Sequence, residues 1–255
     1  MAPKLIVICG PTATGKTKLG VALAQRLGGE VVSADSMQVY RDMAIGTARP
    51  TPEEMAGVPH HMMGVVDPRE NYSVARYVQE ATAWVEDILR RGKQPILVGG
   101  TGLYIDGLCQ GRTYSDFQPA SGLRQALPPR YEKVAIALTY RDRQVLYQRI
   151  DQRVDQMVAR GLVEEVQGLL DAGVPLDGTA MQAIGYKELA RALTQGGDLA
   201  QAVEEVKRRS RQYAKRQLTW FRRDPNIGWI LLEKDQDFSS VIQDSTNYLR
   251  EKGLP

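Results

Sequence analysis

KLIVICGPTATGKTKLGVALAQRL, residues 4–27, places a short apolar run, a glycine-rich loop and an amphipathic segment in immediate succession. LIVIC, bounded by Gly and Pro, reads as a fully buried parallel strand. The segment after the loop is expected to be helical from about Gly15 to Leu27. Between them GPTATGKT, Gly10 to Thr17, matches G-x-x-x-x-G-K-[ST] in the strand–loop–helix setting that this pattern requires. Gly10, Pro11, Thr12, Ala13, Thr14 and Gly15 would bring backbone amides onto phosphate oxygens. Lys16 adds a point charge, the helix N-terminus its partial positive charge, and the Thr17 hydroxyl a ligand for Mg²⁺. A phosphate compound is implied without its identity, and kinases and NTPases are the default class.

Outward from this unit, further buried strands are expected around Val31 and Val32, at Pro95 to Gly100 and at Val134 to Tyr140. A helix capped by Asn71 or Ser73 should run to Gly92. Others are expected from Asp142 to Arg160, Leu162 to Leu170 and Leu199 to Phe221. This alternation predicts an α/β fold, a P-loop NTPase-like parallel sheet flanked by helices with a helical C-terminal part. Residues 1–109 would form the first part of the core, 110–130 a connector rich in Pro, Gly and Ser, and 131–255 the remainder. With 43% hydrophobic and 25% charged residues in a chain of 255, disorder and collagen-like repeats are excluded. No apolar run approaches a membrane span, so a soluble cytoplasmic protein is expected. Cys9 and Cys109 show neither metal-ligand nor disulfide spacing and read as buried thiols. His60 and His61 read as structural, and Met62 and Met63 as packing.

A formal charge of +3 is too mild to diagnose a nucleic-acid partner. Its distribution says more: KRRSRQYAKRQLTWFRR, Lys207 to Arg223, crowds cations around Tyr213, Trp220 and Phe221. The segment reads either as a solvated helix face or as a surface on which rings stack bases while Arg and Lys meet phosphate. Asp35, Ser36 and Gln38 follow the second strand and should emerge near the loop, Asp35 being a candidate base or metal ligand or else a turn brace. Thr101, at the end of another strand, would meet the same crevice or cap a helix. Arg149 and Arg153, four apart on one helix face, could grip a diphosphate bidentately or pair with nearby Asp residues on the surface.

Taken in order, GPTATGKT, ADSMQVYRDMAIGTARP, VPHHMMGVVDP, VGGTGLYI, RVDQMVARGLVEEV, AMQAIGYKE and RQYAKRQLTWFRRD closely resemble the tRNA dimethylallyltransferase family. The resemblance covers nearly the whole chain outside residues 110–130. It implies transfer of a dimethylallyl group from dimethylallyl diphosphate to the exocyclic N6 amine of an adenosine beside the tRNA anticodon, without ATP. The 10–17 loop, with Mg²⁺ on Thr17, would then hold the prenyl diphosphate. Asp35 resembles the family's general base, Thr101 its residue at the bridging oxygen, and Arg153, with Arg149 beside it, its diphosphate-binding arginine. Ser36, Met37 and Gln38 fall where the family reads the target base. The resemblance extends tRNA contacts to Met181, Gly185, Tyr186, Lys187, Arg211, Lys215, Arg216, Gln217, Trp220 and Arg124.

Members of this family usually carry a helical insertion of several dozen residues before the VAIALTY strand, and here a short connector stands in its place. The contacts made by that insertion therefore transfer to no residue of this chain. No protein partner is evident, and a monomer is expected. Three other readings compete: prenylation of free adenine nucleotides, as in cytokinin-forming relatives; phosphorylation of a small molecule by a P-loop kinase; and RNA binding without catalysis. Retention of the basic segment argues against the first, and the loop with Asp35 and Thr101 against the last.

Overall fold

The computed structural model describes residues 2–109 and 129–255. Its centre is a six-stranded, wholly parallel sheet built from β1 (Lys4–Cys9), β2 (Glu30–Ser33), β3 (His60–His61), β4 (Pro95–Val98), β5 (Glu132–Tyr140) and β6 (Gly228–Leu232), in the order β3-β2-β4-β1-β5-β6. LIVIC forms β1 and is buried on both faces, as an unbroken apolar run in a parallel sheet should be. Around the sheet lie α1 (Lys16–Leu27), the short α2 (Pro52–Met55), α3 (Val74–Arg90), α4 (Gly102–Cys109), α5 (Arg143–Ala159), α6 (Leu162–Asp171), α7 (Tyr186–Gln195), α8 (Leu199–Phe221) and α9 (Phe238–Glu251).

Local chemistry explains where the helices begin. The side chains of Ser73, Asp142, Asp198 and Asp237 each accept a backbone amide in the first turn of α3, α5, α8 and α9. On α3, Tyr77, Ala81, Val85 and Ile88 recur at helical spacing and bury one face against the sheet. On α1, Leu19, Leu23 and Ala24 do the same for the opposite face. Both cysteines are buried free thiols. Helices α2, α7 and α9 and strands β3 and β6 go beyond the elements that the sequence pattern predicts. Residues 110–128, with most of the expected connector and Arg124, lie outside the described residues.

Strand register positions the site. Ile8 pairs with Val98, and Val98 with Ser33, so Gly10, Gly100 and Asp35 each lie two residues beyond one level of the sheet. Gly10 has φ +119°, and a Cβ there would fall 2.4 Å from the Leu138 carbonyl oxygen, which restricts the position to glycine.

At the opposite edge Glu30, 2% exposed, collects the Arg91 guanidinium, the Lys93 ammonium at 2.7 Å and the His61 imidazole at 2.8 Å. His61 stacks on Trp84 with ring centroids 4.0 Å apart. The hydrogen-bonded Arg91, then Lys93 and His61, hold the Glu30 carboxyl far below the usual carboxylate range against the cost of its burial. Glu30→Ala should therefore lower stability by about 2 kcal/mol in urea melts at neutral pH, the scale for losing charge-assisted hydrogen bonds whose cationic partners stay hydrated. Because the folded pKa is depressed, the wild-type advantage should be whole above the ordinary value of 4.5 and shrink as pH falls below it.

Candidate active site

A crevice of about 830 Å³ opens at the carboxyl edge of the sheet. Its wall draws on the 10–17 loop, the turns after β2 and β4, the 45–50 segment, and one face each of α5 and α8. This is the position at which open parallel sheets bind ligands.

The loop is braced from two sides. Thr14 Oγ1 donates to the Pro11 carbonyl at 2.9 Å, and Lys16 Nζ to the same oxygen at 2.7 Å. From α8, Gln217 Oε1 accepts the Thr12 amide at 3.1 Å while its Nε2 donates to the Gly100 carbonyl at 3.0 Å. Burial pushes the Lys16 ammonium down to about 8; Arg153 adds to the fall, and Asp35 and the Cys9 thiol oppose it.

Asp35 sits in an Asx turn, its Oδ1 accepting the amides of Met37 at 2.9 Å and Gln38 at 3.3 Å. The turn-brace and crevice readings of Asp35 are thus compatible, because Oδ2 has no hydrogen-bond partner among the described residues and the residue lines the crevice. Thr101 Oγ1 accepts the Ser36 amide at 3.0 Å and lies 3.3 Å from Ser36 Oγ, which joins the β2 and β4 turns. Arg153 reaches the crevice from α5, largely shielded, with the Asp35 and Glu54 carboxylates offsetting its desolvation. Lys16, Asp35, Arg153 and the loop thus come together, with Thr101 beside Ser36. Arg149 does not join them: it is exposed on α5 with its guanidinium 5.3 Å from the centre of the Tyr140 ring.

Other expected positions take particular places. Gln38 is 8% exposed, and its amide is spent inside the protein on Ser33 Oγ and the carbonyls of Thr47 and Ala48. Met181 and Tyr186 have no exposed surface. Gly185 starts α7 at φ +98°, and Lys187 binds Gln182 on the surface. Trp220 donates Nε1 to Asp106 at 3.0 Å, with its ring against Gly102.

Along α8, Lys207, Arg208, Arg209 and Arg211 are paired with acids on the same helix or on α5 and α7. Lys215, Arg216, Arg222 and Arg223 have no acid partner among the described residues and are exposed. Arg216 stands 5.5 Å over the Tyr213 ring and lines the crevice. Tyr213 itself faces the site, its phenol pushed up to about 12 by burial and then by the Asp35 charge. Its closeness to Asp35 and Thr101 could not be foreseen from a ring inside a basic run.

The His60 ring nitrogen Nδ1 meets the Val58 carbonyl at 2.8 Å, and burial lowers its basicity. No group of three or more His, Cys, Asp or Glu capable of holding a metal occurs among the described residues. Thr17, at the first turn of α1, offers a hydroxyl oxygen of the kind that serves Mg²⁺ when phosphate oxygens and water complete its shell.

Two family models match, IPP transferase over residues 38–127 and 109–224 and isopentenyl transferase over residues 3–66. The chain belongs to the IPP transferase family. It is 38% identical over 312 aligned positions to a tRNA dimethylallyltransferase of Caldanaerobacter subterraneus subsp. tengcongensis, covering 99% of each chain. Against the tRNA dimethylallyltransferase of Geobacter metallireducens the identity is 40%, over 94% of this chain and 95% of the relative. The crystal structure of the full-length tRNA isopentenylpyrophosphate transferase from Bacillus halodurans superposes with a TM-score of 0.89 at 41% identity, covering 98% of this chain and 96% of that one. A eukaryotic dimethylallyltransferase caught acting on tRNA superposes with a TM-score of 0.84 at 27% identity, over all of this chain and 81% of that one.

If the Lys16 ammonium titrates near 8 in the free protein, the ratio of wild-type to Lys16→Met affinity for inorganic diphosphate should be large at neutral pH. It should shrink as pH rises through that value, because binding must then restore the lost proton. Isothermal calorimetry across the neutral to alkaline range reads this ratio directly.

Proposed function

We propose that this chain transfers a dimethylallyl group from dimethylallyl diphosphate to the N6 amine of adenosine beside the tRNA anticodon. The observation that carries the reading is the convergence of a carboxylate, a phosphate-type loop and a shielded arginine in one crevice, in a chain whose relatives are named tRNA dimethylallyltransferases.

An aromatic amine is a weak nucleophile because its lone pair is delocalised into the ring. Asp35, pinned through Oδ1, keeps Oδ2 available to take the amine proton as nitrogen attacks the allylic carbon. The bond from that carbon to the bridging oxygen breaks, and the diphosphate leaves with the electron pair. Charge builds on the leaving group, so cations fixed beforehand around it stabilise the transition state more than the ground state. Lys16, Arg153 and the loop amides supply this, and Thr101 Oγ1 is assigned to the bridging oxygen. Thr17 would hold Mg²⁺, which when bound supplies further charge neutralisation on the diphosphate. The adenosine must leave its stack to enter the crevice, and Tyr213 and Arg216 line its wall. The unpaired cations of α8 suit RNA phosphates.

The reading is tested by incubation with dimethylallyl diphosphate, Mg²⁺ and, in parallel, unmodified tRNA, an anticodon stem-loop or adenine nucleotides, with mass analysis of the nucleosides. Prenylated adenosine from tRNA is expected. Product from free nucleotides alone would move the chain to nucleotide prenylation, and ATP turnover without prenylation to a kinase. Asp35→Ala should cut turnover by about 10²-fold while leaving diphosphate affinity nearly unchanged. Changing Lys215 and Arg216 together to Gln should flatten the dependence of log K for tRNA on log salt by about 1.5, the share of two phosphate contacts.

A further inference from the structure

Glu165 has both carboxylate oxygens filled by donors from outside its own helix. Its Oε2 accepts the amides of Ala44 and Ile45, each at 2.8 Å, and its Oε1 accepts the Gly46 amide at 3.0 Å and the Tyr186 hydroxyl at 2.5 Å. Three successive amides converging on one anion form a backbone nest, and charge-assisted bonds of this kind are about twice as strong as neutral ones. A Cβ at position 46 would fall 2.5 Å from the Tyr186 ring, so the turn is closed tightly onto that side chain.

The turn so held forms part of the crevice wall through Ile45, Gly46, Thr47 and Ala48. Its carbonyls at Thr47 and Ala48 accept Gln38 Nε2 at 3.2 and 3.3 Å, and the Gln38 backbone N–H donates to Asp35 Oδ1 at 3.3 Å. A continuous hydrogen-bonded path therefore leads from Tyr186 and Glu165 through the 44–48 turn and Gln38 to Asp35. The 10–17 loop has its own supports in Gln217, β1 and β5 and stands outside this path.

We infer that Glu165, locked by Tyr186, is a positioning residue for the acceptor side of the reaction, setting the 44–48 wall and through Gln38 the Asp35 carboxylate. The inference rests on the transfer reaction proposed above. It also accounts for two buried members of AMQAIGYKE: Tyr186 holds Glu165 and the turn, and Met181 packs in the same core cluster.

The test compares wild type, Glu165→Gln and Tyr186→Phe in single-turnover and steady-state prenylation of tRNA, with amide hydrogen exchange of residues 44–48 followed alongside. The amide of Glu165→Gln presents a donor to a nest of donors, so exchange at 44–46 should quicken. Displacement of catalytic groups by about 1 Å costs about 10²-fold, so kcat should fall about 10- to 100-fold. KM for tRNA should rise several-fold, and KM for dimethylallyl diphosphate should stay within about twofold, since the loop is separately braced. Tyr186→Phe should shift the same quantities in the same directions by less, and it carries the test if Glu165→Gln fails to fold. Wild-type kcat in a variant whose turn exchanges faster would reduce Glu165 to scaffold and overturn the inference. Unchanged exchange, or an equal loss of prenyl-diphosphate affinity, would overturn it too. Absence of transfer by wild type would sink the function reading and this inference together, whereas undiminished transfer by the variants sinks this inference alone.

Discussion

The side-chain amide of Gln217 has one end on the Thr12 amide and the other on the Gly100 carbonyl, and with 5% exposure it competes with almost no water for either. A glycine-rich loop has few side chains with which to hold itself, and its amides point at ligand only while the loop keeps its shape. The parallel sheet supplies the coarse placement, since Ile8, Val98 and Ser33 share one level. Gln217 supplies the fine placement by tying the loop after β1 to the turn after β4. Thr101 extends the same construction to the turn after β2 by accepting the Ser36 amide. Three strand ends are thereby held as one rigid rim, which preorganised electrostatic catalysis demands.

The strongly periodic and motif-bearing parts of this architecture were legible in the sequence. LIVIC, the 10–17 loop, α3 with Ser73 as one of two candidate caps, and α8 from Leu199 to Phe221 are readable because their signals are local: an apolar run, a spacing, a cap, a 3.6-residue period. Strand β3 is two residues long and β6 carries a half-exposed pattern, so neither imposes a period. The motifs of the chain and its relatives point to one family. Residue roles are another matter, because they depend on contacts far apart in sequence. Nothing local separates Glu165 from Glu164 beside it, yet one is the anchor of the 44–48 turn and the other is exposed. Arg149 and Arg153 share a helical period, but the Tyr140 ring takes the first while the second reaches the crevice.

The basic segment shows the same limit in electrostatic form. A count of cations along Lys207 to Arg223 overstates the charge available to RNA. Those in its first turns are already neutralised by Asp151, Asp155, Glu188, Glu204 and Glu205. The pairs fasten α8 to α5 and α7, and much of their worth is orientation, since exposed pairs contribute about 0 to 1 kcal/mol each. Helix α8 is fastened at its N-terminal half by ion pairs, while its C-terminal half turns Ala214, Gln217 and Phe221 inward and leaves Lys215 and Arg216 exposed on its other face.

The segment between α4 and β5 joins two parts of the chain that the sheet itself already holds together. The alignment to the Caldanaerobacter relative spans 312 positions against 255 residues here, and the IPP transferase model matches in two pieces that overlap over residues 109–127. Cys109 and Tyr131 flank that region, and both are buried in one core cluster. With its ends fixed by packing, changing the length of the intervening chain alters closure entropy by only about 0.6 kcal/mol per doubling. Strands β4 and β5 meanwhile pair with β1 on its two sides regardless of how they are joined. The rim and the unpaired cations of α8 are built from elements on either side of this junction, and the hydrogen bonds that join the three strand ends all lie between described residues.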